Sequence, residues 1–327
     1  MKKKRHIGVV ILPVILIISL ILPQMSYLPV TTIAKIGFQS GAPYTKHPAY
    51  EERKTWIKEQ LDLSYPSSYS SNTYDIYHPQ AEGHYPLLVW VHGGGFVGGD
   101  KMDNRTYMEM IASYGYCVVS MNYALAPEHH YPIPILQISE LFEELKRKQD
   151  VYPMNLNQIF IGGDSAGAQL AAQFTTIQTN EEYQKLTGFP PVISPNQIKG
   201  FLSFCGLLDV HAFDETDSTF SNFLYGQCAW AYFDTKDWKT SEYLKQADFL
   251  PWINEAFPAA FLTDGDLNSF LKPMHTMKAH CESYQVPVTA ITYGNNANLP
   301  HEYQFELQRN EALKTFDQVI SFLSKHK

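Results

Sequence analysis

The chain has 327 residues, 45% of them hydrophobic and 14% aromatic, which is enough for one large α/β domain with a covering subdomain. Its formal net charge of −8 argues against nucleic acid as a partner. The four cysteines are scattered and form no Cys-x-x-Cys metal pattern. Cys117 and Cys205 fall in apolar segments and are expected to be buried free thiols, although their spacing leaves a disulfide open.

The start of the chain combines a basic cluster with a long apolar run. Residues 2–5 are all lysine or arginine, and no charged residue follows from Ile7 to Ala34. Residues 1–35 are therefore predicted to be a single-pass signal anchor in the membrane, with the remainder extracytoplasmic. The alternative is a signal peptide cleaved after Ala34, which would make the protein secreted.

Residues 36–327 alternate apolar strand patterns with helical patterns. Residues 36–70 are read as short helical pieces and a serine-rich turn. Strands are predicted near residues 73–78, 86–91, 116–121, 157–162, 199–204, 259–263 and 287–293. Helices between them, such as 134–149 and 166–179, favour a mostly parallel sheet. The last segment is predicted to be a helix that packs on the sheet through Leu313, Phe316, Ile320 and Leu323.

Two glycine-rich motifs directly follow predicted strands. His92-Gly-Gly-Gly-Phe96 comes after an apolar strand, and glycines there allow backbone N–H groups to converge on one point. Gly163-Asp-Ser-Ala-Gly167 lies between an apolar strand and a helix-forming run, which is typical of a nucleophile elbow. Such a turn would expose Ser165 at the carboxyl end of the sheet, beside a helix N-terminus that favours negative charge.

A histidine near the end of the chain is well placed to serve as a base. His301 follows the last predicted strand and a polar turn, and it precedes the final helix. A loop in that position can carry an imidazole over Ser165, so His301 is preferred among the twelve histidines.

One long insertion, residues 210–252, is unusually aromatic. It contains eleven aromatic side chains: Phe213, Phe220, Phe223, Tyr225, Trp230, Tyr232, Phe233, Trp238, Tyr243, Phe249 and Trp252. More than half of these rings are expected to form a small core of their own, and the remainder to line an apolar pocket.

The two glycine motifs, together with Asn122-Tyr-Ala-Leu-Ala-Pro-Glu128, closely resemble the hormone-sensitive-lipase-like family of α/β-hydrolases. That family comprises carboxylesterases and arylacetamide-deacetylase-like enzymes, and the resemblance covers residues 70–327. It implies an α/β-hydrolase fold, mostly parallel, with flanking helices and a helical cap contributed by about residues 36–70 and 210–252.

The resemblance also implies roles for individual residues. Ser165 would be the nucleophile and His301 the base, although this chain reads His301-Glu-Tyr303 where the family usually carries His-Gly-Phe. His92 would anchor its loop and take no part in catalysis. The implied oxyanion hole consists of the backbone N–H groups of Gly94, Gly95 and Ala166.

The acid of the implied triad has two candidates at one strand end. The family's usual Asp-Pro-Leu is not intact, and alignment through Leu267 selects Asp266, with Asp264 as its rival. Asp266, Asn268 or Ser269 could instead cap the helix predicted over 270–284.

The resemblance implies a serine hydrolase that cleaves small to medium carboxylic esters through an acyl-enzyme, without a metal or an organic cofactor. Its partner would be a small-molecule ester. The alternatives are a non-catalytic ligand-binding module, and an acyltransferase or deacetylase that uses the same triad. The sequence does not distinguish hydrolysis from acyl transfer, because the difference lies in water access to the site.

Overall fold

The structure is a computed structural model that describes residues 21–39, 44–294 and 297–327. The basic cluster at residues 2–5 and most of the apolar run behind it lie outside these residues. Within the described ranges, no helix is both long and apolar enough to cross a bilayer.

An eight-stranded sheet runs through the chain. Its strands are β1 Ile57–Ser64, β2 Thr73–Pro79, β3 Tyr85–Val91, β4 Cys117–Met121, β5 Met154–Asp164, β6 Ile198–Phe204, β7 Ala260–Thr263 and β8 Val288–Ile291. Their order is β1-β2-β4-β3-β5-β6-β7-β8, antiparallel as far as β4 and parallel from β4 to β8. The mostly parallel sheet expected from the sequence is confirmed.

From Leu28 onward, ten helices of at least four residues connect or flank these strands in the described ranges. They are α1 Leu28–Gln39, α2 Tyr50–Arg53, α3 Arg105–Ala112, α4 Ile133–Arg147, α5 Ser165–Thr179, α6 Glu181–Thr187, α7 Thr219–Phe233, α8 Glu242–Ala247, α9 Leu271–Ser283 and α10 Asn310–His326. Residues 21–25 are helical as well.

The central strands are apolar because both faces of the sheet are covered. In β4, Val119 belongs to the core beneath α4 and α5, whereas Val118 belongs to the core beneath α3 and α10. The face predicted for the last helix is confirmed: Phe316 and Leu323 are fully buried, and Leu313 and Ile320 pack against the same core.

Strand β1 occupies a region that the sequence analysis read as short helical pieces. Residues 36–39 end helix α1 and residues 50–56 are helical, whereas Ile57–Ser64 pairs antiparallel with β2 at the sheet edge. Only Ile57 is buried in this strand. The strand was missed because an exposed edge strand has no need of the apolar alternation that identifies half-buried strands.

The insertion folds over the carboxyl ends of the strands through α7 and α8. Its rings pack against Phe96, whose ring stacks on Tyr232 at a centroid distance of 3.9 Å. Eight of the eleven aromatic side chains are buried or pack against the main core, whereas Phe220, Phe223 and Tyr243 are exposed.

Helix α1 lies against α7 of the insertion. The ring of Tyr27, which directly precedes α1, meets Trp230 edge-on at 5.4 Å, and Ala34 is buried in a cluster with Cys228 and Ala231. Residues 28–35, which the sequence assigned to the anchor or signal peptide, are therefore part of the folded structure.

Candidate active site

The carboxyl ends of the parallel strands bring the predicted site residues to one edge of the sheet. Val91 at the end of β3 is in register with Gly163 near the end of β5, and Asp164 is in register with Phe204 of β6. His92, Ser165 and Asp264 each directly follow a strand of this aligned set. Segments that are distant in sequence thus meet above the sheet.

Ser165 occupies a sharp turn between β5 and α5. Its φ is +50°, in the left-handed region that L-residues seldom adopt. A Cβ on Gly167 would collide with the carbonyl oxygen of Val91, and one on Gly163 would lie 2.5 Å from the backbone of Gly167. The two glycines are therefore required for the close approach of this turn to β3.

His301 lies beside the Ser165 hydroxyl, as the sequence analysis expected of a base. Its Nε2 is 3.0 Å from Ser165 Oγ, although the two residues are 136 positions apart. Burial lowers the pKa of the imidazole, and the nearby Asp264 charge opposes that shift. A neutral imidazole at neutral pH can accept the hydroxyl proton.

The other side of the imidazole faces a serine that the sequence analysis considered only as a helix cap. His301 Nδ1 lies 2.8 Å from Ser269 Oγ, and the Ser269 hydroxyl also bonds to Asp264 Oδ1. A hydroxyl has one proton to donate, while an ionised carboxylate can only accept. Ser269 therefore donates to Asp264 and accepts from His301 Nδ1–H, which leaves Nε2 free to accept from Ser165.

Asp264, not Asp266, lies next to His301. Asp264 is 2% exposed, and burial raises the pKa of its carboxyl to about 6, opposed by the His301 charge and the Ser269 hydrogen bond. Asp266 is half-buried, and its carboxylate accepts the backbone N–H groups of Leu299 at 2.6 Å and Asn298 at 3.2 Å. The preference for Asp266 is thus at odds with the geometry, because this carboxylate ties down the loop that carries His301.

The capping alternative for Asp266 is not seen either. Helix α9 begins after Phe270, and it has no side-chain hydrogen bond at its N-cap.

Cys205 completes a group of metal-ligating residue types around the same point. Its Sγ, a carboxylate oxygen of Asp264 and a ring nitrogen of His301 all lie within 4.8 Å of one another. Burial raises the pKa of the thiol well above its usual value, so the thiol stays protonated and is a poor ligand. Both ring nitrogens of His301 are already engaged by serine hydroxyls, so this group does not fit a metal site.

The glycine loop after β3 is held by the aspartate of the elbow. Asp164 Oδ2 accepts the N–H of Gly93 at 2.8 Å, and its Oδ1 accepts Trp90 Nε1 at 2.8 Å. Gly94 and Gly95 follow with φ of +106° and +59° and line the same cavity as Ser165. Ala166 is fully buried in the first turn of α5. The three residues predicted for the oxyanion hole thus lie around Ser165.

His92 is buried behind the glycine loop. Its Nδ1–H donates to the carbonyl of Gly93 at 2.7 Å, and its ring stacks on Tyr123 at 4.4 Å. Burial lowers the pKa of His92 to about 4, so the ring is neutral. These contacts match the expected role of a loop anchor.

A cavity of about 210 Å³ opens beside Ser165. Its lining includes Phe38 of α1 and Tyr225 of α7, and three acidic residues: Asp103, Asp164 and Glu302. The apolar pocket expected from the insertion therefore has an acidic wall as well.

Glu302 was missed as a site residue. It adopts φ of +62° directly after His301, accepts the Tyr44 hydroxyl at 3.2 Å and has its Oε1 3.7 Å from His301 Nε2. The sequence did carry one signal of an unusual backbone here. The family usually has glycine at this position, and glycine is favoured where φ is positive. Burial raises the pKa of Glu302 to about 7.

The raised pKa of Glu302 predicts that the stability of the fold depends on pH. Its pKa is raised from 4.5 to about 7, so between these values the folded chain holds a proton that the unfolded chain has lost. This group's contribution to the free energy of unfolding therefore decreases as the pH rises through that window, and is constant above it. In Glu302→Gln, the Tm should fall less between about pH 5 and about pH 8 than in the unaltered chain.

The matched control is Glu255→Gln, which removes the same charge from an exposed position. Its Tm should follow the unaltered chain across the pH range. The same pH response in Glu302→Gln and Glu255→Gln would contradict a proton held by Glu302.

Comparisons with known proteins support the fold and the family. The sequence profile described as BD-FAE matches residues 74–280. An acetyl esterase of Salmonella schwarzengrund is 31% identical over 126 residues, and the match spans 37% of this chain and 39% of the length of that relative.

Solved structures resemble this chain over most of its length. An esterase B from Lactobacillus rhamnosis has a TM-score of 0.69 at 21% identity, covering 94% of this chain and 96% of that one. A Pyrobaculum calidifontis esterase has a TM-score of 0.67 at 17% identity, covering 93% and 94%. At these low sequence identities, the structural similarity shows the fold alone. With more than half of its length matched by the family profile, the chain belongs to the BD-FAE family of α/β-hydrolases.

Proposed function

We propose that the chain is a carboxylesterase-type serine hydrolase in which Ser165, His301 and Asp264 act together. The observation that carries this proposal is the 3.0 Å contact between His301 Nε2 and Ser165 Oγ at a strand-to-helix elbow. The acetyl esterase activity named for the Salmonella relative agrees with it.

The chemistry follows from the order of the hydrogen bonds. Ser165 Oγ attacks the ester carbonyl carbon while its proton passes to His301 Nε2. The tetrahedral oxyanion is stabilised by backbone N–H groups of the glycine loop and of Ala166, and each such donor typically lowers the activation barrier by ~3 kcal/mol. His301 then protonates the departing alcohol oxygen, and an acyl-enzyme is left. Water deacylates Ser165 by the same route, releasing the carboxylic acid.

The cavity favours small acyl groups. At about 210 Å³ it is smaller than the pockets of roughly 300–1,000 Å³ that hold drug-sized ligands.

The test is hydrolysis of p-nitrophenyl acetate, butyrate, octanoate and palmitate by the full chain in mild detergent. Turnover that is highest on the short esters is expected. No turnover on any ester by the folded chain would instead favour a non-catalytic binding module.

Ser269 is proposed to position His301 by bridging it to Asp264. Ser269→Ala leaves Nδ1–H and the buried carboxylate without their common partner, and kcat is expected to fall by about 10²-fold. The imidazolium would also lose its link to the Asp264 charge, so the acidic limb of the kcat/KM profile should move to lower pH.

Ser269→Thr retains the hydroxyl and serves as the matched control. It should recover most of the activity and the original pH profile. An alanine variant with unchanged kcat and an unchanged acidic limb would show that Asp264 supports His301 without the bridge.

The apolar run that begins at Ile7 is proposed to be an uncleaved membrane anchor, with the catalytic domain on the extracytoplasmic side. The contacts of α1 support this choice over a cleaved signal peptide. Cleavage after Ala34 would divide α1 and remove Tyr27 from its contact with Trp230. A mature chain that begins at Lys35, found by mass spectrometry, would contradict the anchor.

A further inference from the structure

Helices α1 and α7, the cap helices, form a pair with almost no charge. Helix α7 has no charged residue, and α1 has only Lys35, whose ammonium lies 3.5 Å from Glu128. The facing sides are packed together, with Phe38 and Leu224 joining the cluster around Ala34. The contacts extend from Tyr27 to Phe38 on the side of α1 and from Leu224 to Ala231 in α7.

The outer surface of this pair exposes large apolar side chains. In α1, Leu28 is 50% exposed, Ile33 72% and Ile36 65%, and in α7, Phe220 is 73% and Phe223 41% exposed. A helix on the surface of a soluble protein normally turns polar residues outward, and a contiguous apolar patch marks a binding surface. The cap helices thus present an apolar face to their surroundings.

The chain before α1 indicates what covers this face. Residues 1–20 lie outside the described residues, and their sequence is a basic cluster followed by an apolar run that continues into Ile21 and Leu22. Five residues lie between Leu22 and Leu28, and the six Cα–Cα steps that join these two residues can span at most ~20 Å. If the apolar run is in a bilayer, α1 begins close to the bilayer surface.

We propose that the outer face of the cap helices docks on the lipid bilayer that holds the anchor. This inference rests on the proposed anchor and adds a second contact to it. Apolar side chains of an interfacial helix enter the boundary between headgroups and acyl chains. Because the chain carries a net charge of −8, a zwitterionic lipid surface fits this face better than an anionic one.

The test places an environment-sensitive dye on the face in the full chain. Ile33→Cys and Phe220→Cys are labelled with an NBD maleimide, which reaches the new thiol because all four native cysteines are buried. Val151→Cys is the matched control: it is 65% exposed and lies before β5, at the opposite end of the strands. The labelled chains are reconstituted into phosphatidylcholine vesicles and floated on a density gradient.

If the face docks on the bilayer, all three labelled chains should float with the vesicles. The NBD emission should strengthen severalfold and shift to shorter wavelength at positions 33 and 220, and it should stay unchanged at position 151. Flotation with equal emission at 33, 220 and 151 would overturn docking while leaving the anchor in place. Failure to float would overturn both. An emission change at 33 and 220 that needs no lipid and grows with protein concentration would mean that a second copy covers the face. Turnover of p-nitrophenyl butyrate by each labelled chain, a readout independent of the vesicles, reports that the fold is retained.

Discussion

Replacing Ser165 by alanine is expected to lower kcat on p-nitrophenyl butyrate by at least about 10⁴-fold. The hydroxyl lies 3.0 Å from His301 Nε2, and no covalent acyl-enzyme can form without it. The fold should persist, because alanine has the same Cβ as serine and meets the same backbone conformation at φ of +50°. Steady-state kinetics and thermal unfolding together check this expectation.

A phosphonate ester gives a second measurement that does not depend on the choice of substrate. It should add its mass to the unaltered chain, and none to Ser165→Ala. Ser139→Ala, on the surface helix α4, is the matched control and should retain both turnover and labelling. Activity of Ser165→Ala within about tenfold of the unaltered chain would exclude Ser165 as the nucleophile.

The parts of the fold that the sequence predicted are those with strong local constraints. The central strands are apolar on both faces, so they are recognisable as continuous apolar runs. The elbow is recognisable because Gly163 and Gly167 leave no room for a side chain against β3. In both cases steric or burial requirements act on neighbouring residues, and they are therefore visible in a short stretch of sequence.

The choice between Asp264 and Asp266 had no such local signal. Both follow β7 within three residues, and both are chemically suited to orient a histidine. The path of the loop before His301 decides between them, since Leu299 and Asn298 present their N–H groups to Asp266. That path depends on pairing across more than thirty positions, which the alignment through Leu267 could not reveal.

Glu302 was hidden for a related reason. The sequence shows that a glutamate replaces the family's glycine at this position, but it does not show where the side chain points. Only the folded chain shows that the left-handed backbone at Glu302 turns the carboxyl into the cavity beside Asp164.

The two candidate acids can be separated by one pair of variants. Asp264→Asn is expected to lower kcat by about 10³- to 10⁴-fold, because the charge that supports the His301 imidazolium through Ser269 is removed. Asp266→Asn removes the same charge from a carboxylate that contacts backbone N–H groups of the His301 loop. It is expected to lower kcat by less than about tenfold and to cost about 1–3 kcal/mol of the free energy of unfolding.

Asp264→Asn and Asp266→Asn thus serve as controls for each other, since they make the same chemical change two residues apart. Measuring kcat and unfolding on the same preparations distinguishes a lost catalytic group from a loosened loop. In Asp264→Asn, the rise in activation free energy calculated from kcat should exceed any loss in the free energy of unfolding. In Asp266→Asn, the loss in the free energy of unfolding should be the larger of the two. The reverse ranking of kcat would assign the acid to Asp266 and would mean that the loop before His301 rearranges when a substrate binds.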